Sequence, residues 1–143
     1  MNLSSQYIDL IQEELKQLEI PESPVNLYSP IGYFLNLKGK KIRPILTLLS
    51  AELFGKNIDQ AKHAALAIEI FHNFTLIHDD IMDEAPLRRG QQTVHEKWNT
   101  NIAILSGDVL MIKAYEQLAL CPPTVLPDLI TIFNKTAVEV CEG

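Results

Sequence analysis

Only two cysteines, Cys121 and Cys141, occur in 143 residues. They lack any metal-binding or redox spacing and no signal peptide precedes them. A disulfide scaffold is therefore not expected, and reduced thiols in a cytoplasmic protein are. Long apolar runs are missing as well. None approaches the ~20 residues that a bilayer span requires, so no transmembrane segment is predicted. Positive charge is scarce, with 12 Lys and Arg against 18 Asp and Glu and a net charge of -6. What there is falls in two short clusters instead of along a face, which argues against a nucleic-acid partner and suggests anion sites. Strand signals are weak, and internal repeats and low-complexity tracts are absent.

Apolar residues make up 47% of the chain, enough for one core and a single domain. Their period is helical, so the fold is predicted to be all-α. A first helix should start after an Asn2 or Ser4 cap and run to about Leu18, with Tyr7, Ile8, Ile11 and Leu15 at core spacing. Ser29-Pro30 reads as N-cap and first helical position of a short helix ending near Leu37. Pro44 to Phe54 reads as a third helix, with Leu46, Leu48, Leu49 and Leu53 apolar. Asn57 or Asp59 could cap a long fourth helix that runs through Glu69 and His72 to the aspartates at 79, 80 and 83. Glu84 to Gln92 looks like a loop. Thr93 and Glu96 match a capping box ahead of a fifth helix over roughly Asn101 to Leu120. A sixth should start after Pro123, with Ala137, Val140 and Cys141 on an apolar face.

The chemistry concentrates in Leu76-Ile77-His78-Asp79-Asp80-Ile81-Met82-Asp83 and the Arg88-Arg89-Gly90 that follows. On a helix, Asp79 and Asp83 are separated by about 400° of rotation and about 6 Å of rise, so they share a face. Like charges at that spacing repel by a few tenths of a kcal/mol, which invites a bridging cation. Mg²⁺ suits the pair, since it takes one or two carboxylates, keeps waters and accepts phosphate oxygens. A bare DDxxD is equally a solvated acidic turn. Asp80 lies about 100° from Asp79 in azimuth, a place for orienting waters or accepting from a cation rather than for ligating.

Upstream, Lys38-Gly39-Lys40-Lys41-Ile42-Arg43-Pro44 sets four cations within six residues on a loop. Arginine forks bind phosphate oxygens bidentately and lysine acts as a point charge, so the segment could grip an anion; a solubilising loop is the plainer alternative. Together with Ala67-Ile68-Glu69-Ile70-Phe71-His72, Gly90-Gln91-Gln92-Thr93-Val94-His95 and Asn101-Ile102-Ala103-Ile104-Leu105-Ser106-Gly107-Asp108, these stretches resemble the trans-isoprenyl diphosphate synthases, or polyprenyl synthetases. Their first aspartate-rich motif is DDxxD followed by RRG, and their upstream motif reads GGK-R-hydrophobic-R-P. Lys38, Lys41 and Gln92 depart from the usual glycine, arginine and proline. The family's second aspartate-rich motif, with its Lys-Thr and Phe-Gln pairs, is missing, so residues 1–143 read as the N-terminal portion of a single polyprenyl synthetase domain. The fold implied is the N-terminal half of an isoprenoid-synthase-like helical bundle.

The resemblance implies a Mg²⁺-dependent 1'-4 prenyl transfer between isopentenyl diphosphate and an allylic diphosphate, in a protein expected to form a homodimer. It implies metal binding by Asp79 and Asp83, with Asp79, Asp83 and Arg88 catalytic. Lys40, Arg43, His72 and Arg89 would receive the homoallylic diphosphate, and Arg88 the allylic one. His72, flanked by Phe71 and Phe74, would on its own read as a packed core residue. Glu69 could be a buried partner for a cation such as Arg43, or a surface carboxylate. Gly107 and Asp108 suggest close helix packing and a structural hydrogen bond, and Trp98 and Tyr115 space filling. In this family bulk at the positions of Phe74 and Thr75 sets product length, implying a short C15 to C20 chain. The fragment alone is expected to be inactive. A non-catalytic partner subunit of a hetero-oligomeric synthase and a class I terpene cyclase fragment are the rival readings; the Lys40 and Arg43 loop disfavours the latter.

Overall fold

A computed structural model describes residues 3–143, with side chains from Ser5 onward. Seven helices and one small hairpin follow in chain order: α1 (Leu3–Lys16), α2 (Val25–Leu35), α3 (Ile42–Leu53), α4 (Ile58–Met82), β1 (Leu87–Arg88), β2 (Gln91–Gln92), α5 (Val94–Lys97), α6 (Thr100–Ala119) and α7 (Leu126–Glu142). The all-α fold is the one read from the periodicity. No helix is long and apolar enough to cross a membrane among the described residues.

α4 is the axis of the molecule. It buries Ala65, Leu66, Ala67, Glu69, Ile70, Phe71, Asn73, Ile77 and Asp80, which together span about 240° of its circumference, because α3 and α6 pack on it from different sides. Asn57 caps it, accepting from the Asp59 amide at 2.9 Å. α6 buries the small residues Ala103, Ser106, Gly107 and Ala114, with Gly107 against His78 of α4 and Ser106 Oγ donating to Leu27 O of α2 at 3.0 Å. Gly107 is required there: a Cβ would fall 2.5 Å from His78 Nε2. α1 buries Tyr7, Ile11 and Leu15 as the spacing predicts, with Ile8 half-buried.

Four local expectations are corrected. Ser4 already lies within α1, and the Asn2 alternative falls outside the described residues. α2 begins after Pro24, so Pro30 sits inside the helix instead of opening it. Pro30 forfeits one backbone bond, and the burial of Pro30, Ile31 and Phe34 offsets that loss. The segment read as a plain loop contains the hairpin, with Arg88 paired to Gln91 and Leu87 to Gln92. Its two-residue turn, Arg89-Gly90, has φ of 53° and 78°, the left-handed values that match the twist of the flanking strands. The Thr93–Glu96 capping box does not form, because Thr93 Oγ1 donates to Ala85 O at 2.7 Å and so ties down the segment after the aspartates.

Some apolar surface stays uncovered. Leu46 and Leu53 of α3 are exposed, as are Ile104, Leu105 and Ile112 of α6 and Ile132, Val138 and Val140 of α7. Of the predicted α7 face, Ala137 is half-buried while Val140 and Cys141 are exposed. The buried anchor of α7 is Phe133, edge-on to Phe71 at 5.0 Å and to Tyr115 at 5.2 Å.

Candidate functional site

α4 organises the candidate residues along its length. His72 lies midway, and Asp79, Asp80 and Asp83 occupy its C-terminal turns. The basic loop between α2 and α3 folds back against His72, and the hairpin brings Arg88 and Arg89 beside both regions.

A cavity of about 590 Å³ collects Lys38, Lys40, Arg43, His72 and Arg89, with Glu69 and Lys41 at its base. The sequence therefore names four residues, Lys40, Arg43, His72 and Arg89, that the fold brings together from three separate segments. Arg43 Nη1 stands 3.2 Å from His72 Nε2. Since a guanidinium only donates, this nitrogen accepts and the ring is neutral. Burial holds the His72 pKa below its ordinary 6.5, and the Arg43 charge lowers it further; Glu69 opposes these effects, while Arg89 and Arg88 add to them. Arg89 Nη1 donates to Leu37 O at 3.4 Å, and its guanidinium lies over Gly39, where a Cβ would come within 2.6 Å of Nη1. A side chain at residue 39 would displace the guanidinium from this position.

The partner of Glu69 is Lys41, not Arg43. Lys41 Nζ donates to Glu69 Oε1 at 2.8 Å, with side chains 3% and 4% exposed. The sequence shows three lysines in a row of four, but not which turns inward. That choice is made by the left-handed backbone of Lys41, at φ 50°.

The three aspartates sit in different environments. Asp79 and Asp83 are exposed and one turn apart, with Asp83 N donating to Asp79 O at 2.8 Å. They sit at the negative end of the α4 dipole, which adds to the local demand for a cation. Asp80 turns inward and is 2% exposed. It accepts a bidentate pair from Arg88: Nε donates to Oδ1 at 3.0 Å and to Oδ2 at 2.8 Å, and Nη2 to Oδ1 at 2.8 Å. Among the described residues no three His, Cys, Asp or Glu side chains converge as a metal cage. The donor set is instead an open pair of carboxylates, which fits an ion that completes its shell with water and phosphate oxygens.

Phe74, two residues past His72, packs on Phe71 and stands edge-on to His78 at 4.7 Å. Thr75 is half-buried and its Oγ1 donates to His72 O at 2.8 Å, back along the helix. His78 Nε2 is 3.1 Å from Ile104 O and 3.6 Å from Asp108 Oδ1, which ties α4 to α6. Trp98 packs edge-on to Tyr33, and Tyr33 donates to Gln92 O at 2.8 Å, bracing the hairpin.

Comparison with known proteins gives a consistent picture. The family model described as polyprenyl synthetase matches residues 24–143. A geranylgeranyl pyrophosphate synthase of Geoglobus acetivorans is 43% identical over 136 residues, covering 94% of this chain and 43% of that protein. Heptaprenyl diphosphate synthase component 2 of Geobacillus stearothermophilus is 36% identical over 93% of this chain and 40% of its own length. A crystal structure of geranylgeranyl pyrophosphate synthase superposes with a TM-score of 0.94 at 47% identity, covering 99% of this chain and 43% of that one. The chain thus spans less than half the length of these relatives.

Proposed function

The chain belongs to the polyprenyl synthetase family, and from that premise we propose that it supplies the homoallylic diphosphate cradle and one metal-binding face of a Mg²⁺-dependent prenyltransferase. The reaction is the 1'-4 condensation of isopentenyl diphosphate with an allylic diphosphate. One observation carries this reading: a single helix presents His72 to a cavity lined by Lys40, Arg43 and Arg89, and an exposed Asp79–Asp83 pair about 10 Å further along its axis.

Lys40, Arg43, His72 and Arg89 hold the diphosphate of isopentenyl diphosphate and fix its double bond relative to the metal face. Neutral His72 donates from its ring, and the two arginines provide forked, charge-assisted contacts. Arg88, oriented by Asp80 through Nε and Nη2, offers Nη1 to the allylic diphosphate. Asp79 and Asp83 would hold Mg²⁺, which would supply Lewis-acid charge to the leaving diphosphate. The allylic carbon–oxygen bond breaks, the isopentenyl double bond forms the new carbon–carbon bond, and the surplus proton leaves with the released diphosphate. No side-chain nucleophile is needed, so positioning and charge stabilisation carry the catalysis. The growing tail runs from Asp79 past Thr75 toward Phe74, giving short products of about C15 to C20. The enzyme works in the cytoplasm as a homodimer.

A second reading draws on the relative named as a component: this chain would be one subunit of a hetero-oligomeric synthase. The cyclase alternative is disfavoured by the Lys40 and Arg43 cradle.

The test is incubation with labelled isopentenyl diphosphate, geranyl diphosphate and Mg²⁺. The 143-residue chain alone should yield no acid-labile extractable product. A complete reading frame containing it should, and chromatography of the dephosphorylated alcohols should show the short chain lengths. Turnover by the chain alone would show that no second acidic motif is required, and a barren complete frame would refute prenyl transfer.

A further inference from the structure

Between Lys40 and Arg43, the two loop cations assigned to the homoallylic diphosphate, Lys41 turns inward to the base of the cavity. It is 5% exposed and its ammonium is spent on Glu69. Glu69 is itself held: Asn73 Nδ2 donates to Glu69 O at 2.7 Å and to Oε1 at 3.3 Å. Lys41 and Glu69 cancel, so together they add almost nothing to the field that draws an anion. A lysine kept for charge alone would not be neutralised by a buried carboxylate.

The pair's backbone context points to a different use. Lys41 has φ 50°, a left-handed conformation that a residue with a Cβ keeps only where its surroundings fix it. That turn directs Lys41 inward and leaves both neighbours, Lys40 and Ile42, exposed. Glu69 lies one helical turn before His72 on α4, so anchoring the loop to Glu69 sets its register against His72 as well. On the far side, Arg89 closes over Gly39 and reaches Leu37 O. The loop is gripped at residue 41 from below and at residue 39 from above, with Lys40 between the two grips.

We propose that the buried Lys41–Glu69 pair, braced by Asn73, is a latch that pins the left-handed turn of the basic loop to α4 and so aims Lys40 and Arg43 into the cavity shared with His72 and Arg89. The two are positioning residues. They act by ordering the loop before an anion arrives, which removes an ordering cost from binding. The use of that order for diphosphate rests on the function proposed above.

The test variant is Lys41→Met with Glu69→Gln. It removes one positive and one negative charge, so the net charge and long-range field are unchanged, and it approximates both side-chain shapes. Removing both members of a buried pair is frequently tolerated, whereas Lys41→Met alone strands a buried carboxylate and is expected to lose stability. The double variant therefore carries the test. Two measurements are made on the full chain: backbone ¹⁵N order parameters of residues 39–42 without ligand, and titration calorimetry with inorganic diphosphate. The double variant should melt near the wild-type temperature. Its loop order parameters should fall from about 0.85 to below about 0.6, and its diphosphate affinity should weaken at least tenfold. Lys41→Arg, which keeps the charge opposite Glu69, should restore both. Unchanged loop order, or lost order with unchanged affinity, would overturn the latch. If the wild-type chain bound no diphosphate, the cradle reading would fail, while loop order would still decide whether the pair pins the turn.

Discussion

Exchanging Asp80 for asparagine should destabilise the chain, while the same exchange at Asp79 or Asp83 should not. Asp80 is 2% exposed and accepts three contacts from Arg88, at 3.0, 2.8 and 2.8 Å. Breaking a buried ion pair by removing one partner costs about 3–5 kcal/mol when both charges are fully buried. The Arg88 side chain is 24% exposed and can rehydrate, and an asparagine oxygen keeps a weaker contact. Both effects bring the loss down to about 2–3 kcal/mol. For a chain of this size each kcal/mol moves the melting temperature by roughly 3 °C, so Asp80→Asn should melt about 6–9 °C lower. Asp79 and Asp83 are exposed and repel each other at the negative end of a helix. Asparagine there should change stability by no more than about 0.5 kcal/mol, in the stabilising direction. What those two variants should lose is the enhancement of diphosphate binding by Mg²⁺. Thermal melts followed by circular dichroism, paired with calorimetric titration of diphosphate with and without Mg²⁺, separate the outcomes. An Asp80→Asn protein melting within 2 °C of wild type, or equal losses at all three positions, would refute the division of labour.

Two further expectations concern α4 and its neighbours. Gly107→Ala places a Cβ 2.5 Å from His78 Nε2 and 2.6 Å from Cδ2, against a ring already braced by Ile104 O and Phe74. It should cost about 1–3 kcal/mol in urea unfolding, and an unchanged midpoint would show that the α4–α6 contact has slack. His72, whose pKa is lowered by burial and then by Arg43, is neutral in the folded chain at pH 7. The preference of the fold for the neutral ring is fully expressed above the ordinary pKa of about 6.5, and the stability it brings is lost as pH falls toward the folded value. NMR titration of the imidazole should therefore give a midpoint below about 6.5 in the free chain and a higher one with diphosphate bound; a free-chain midpoint at or above 6.5 would contradict the geometry.

Much of the architecture could be read from local pattern, because the helices that follow their own periodicity do so in the fold. α1 buries its 7, 11 and 15 positions, and the cap at Asn57 is where the sequence puts it. Local signals failed where a distant partner competed for the same group. The Thr93 hydroxyl could accept from the Glu96 amide or donate to a carbonyl, and donation to Ala85 O won because the chain after the aspartates folds back over it. Pro30 looked like a helix start because the gain that keeps it inside α2 comes from burial against other elements. Within the candidate site, the residue types were legible and their directions were not. Four cations in six residues mark a candidate anion site, yet the inward turn of Lys41 depends on a carboxylate 28 positions away. Asp80 differed from its neighbours already in azimuth, but its guanidinium partner became identifiable only once the hairpin was placed.

The thin attachment of α7 has a consequence for how the molecule comes apart. The helix contributes one buried side chain, Phe133, with Leu126, Ile130 and Ala137 half-buried beside it, whereas α4 and α6 bury many. Undocking it exposes far less apolar area than separating α4 from α6 and disturbs no ion pair of the site. It should therefore open as a separate cooperative unit, with a free energy well below that of global unfolding. Amides of α7 would then exchange with solvent long before those of α4. A protease given limited time would cut first in the exposed residues Pro123 to Val125, and the remaining core would keep the loop, the long helix and the hairpin in place.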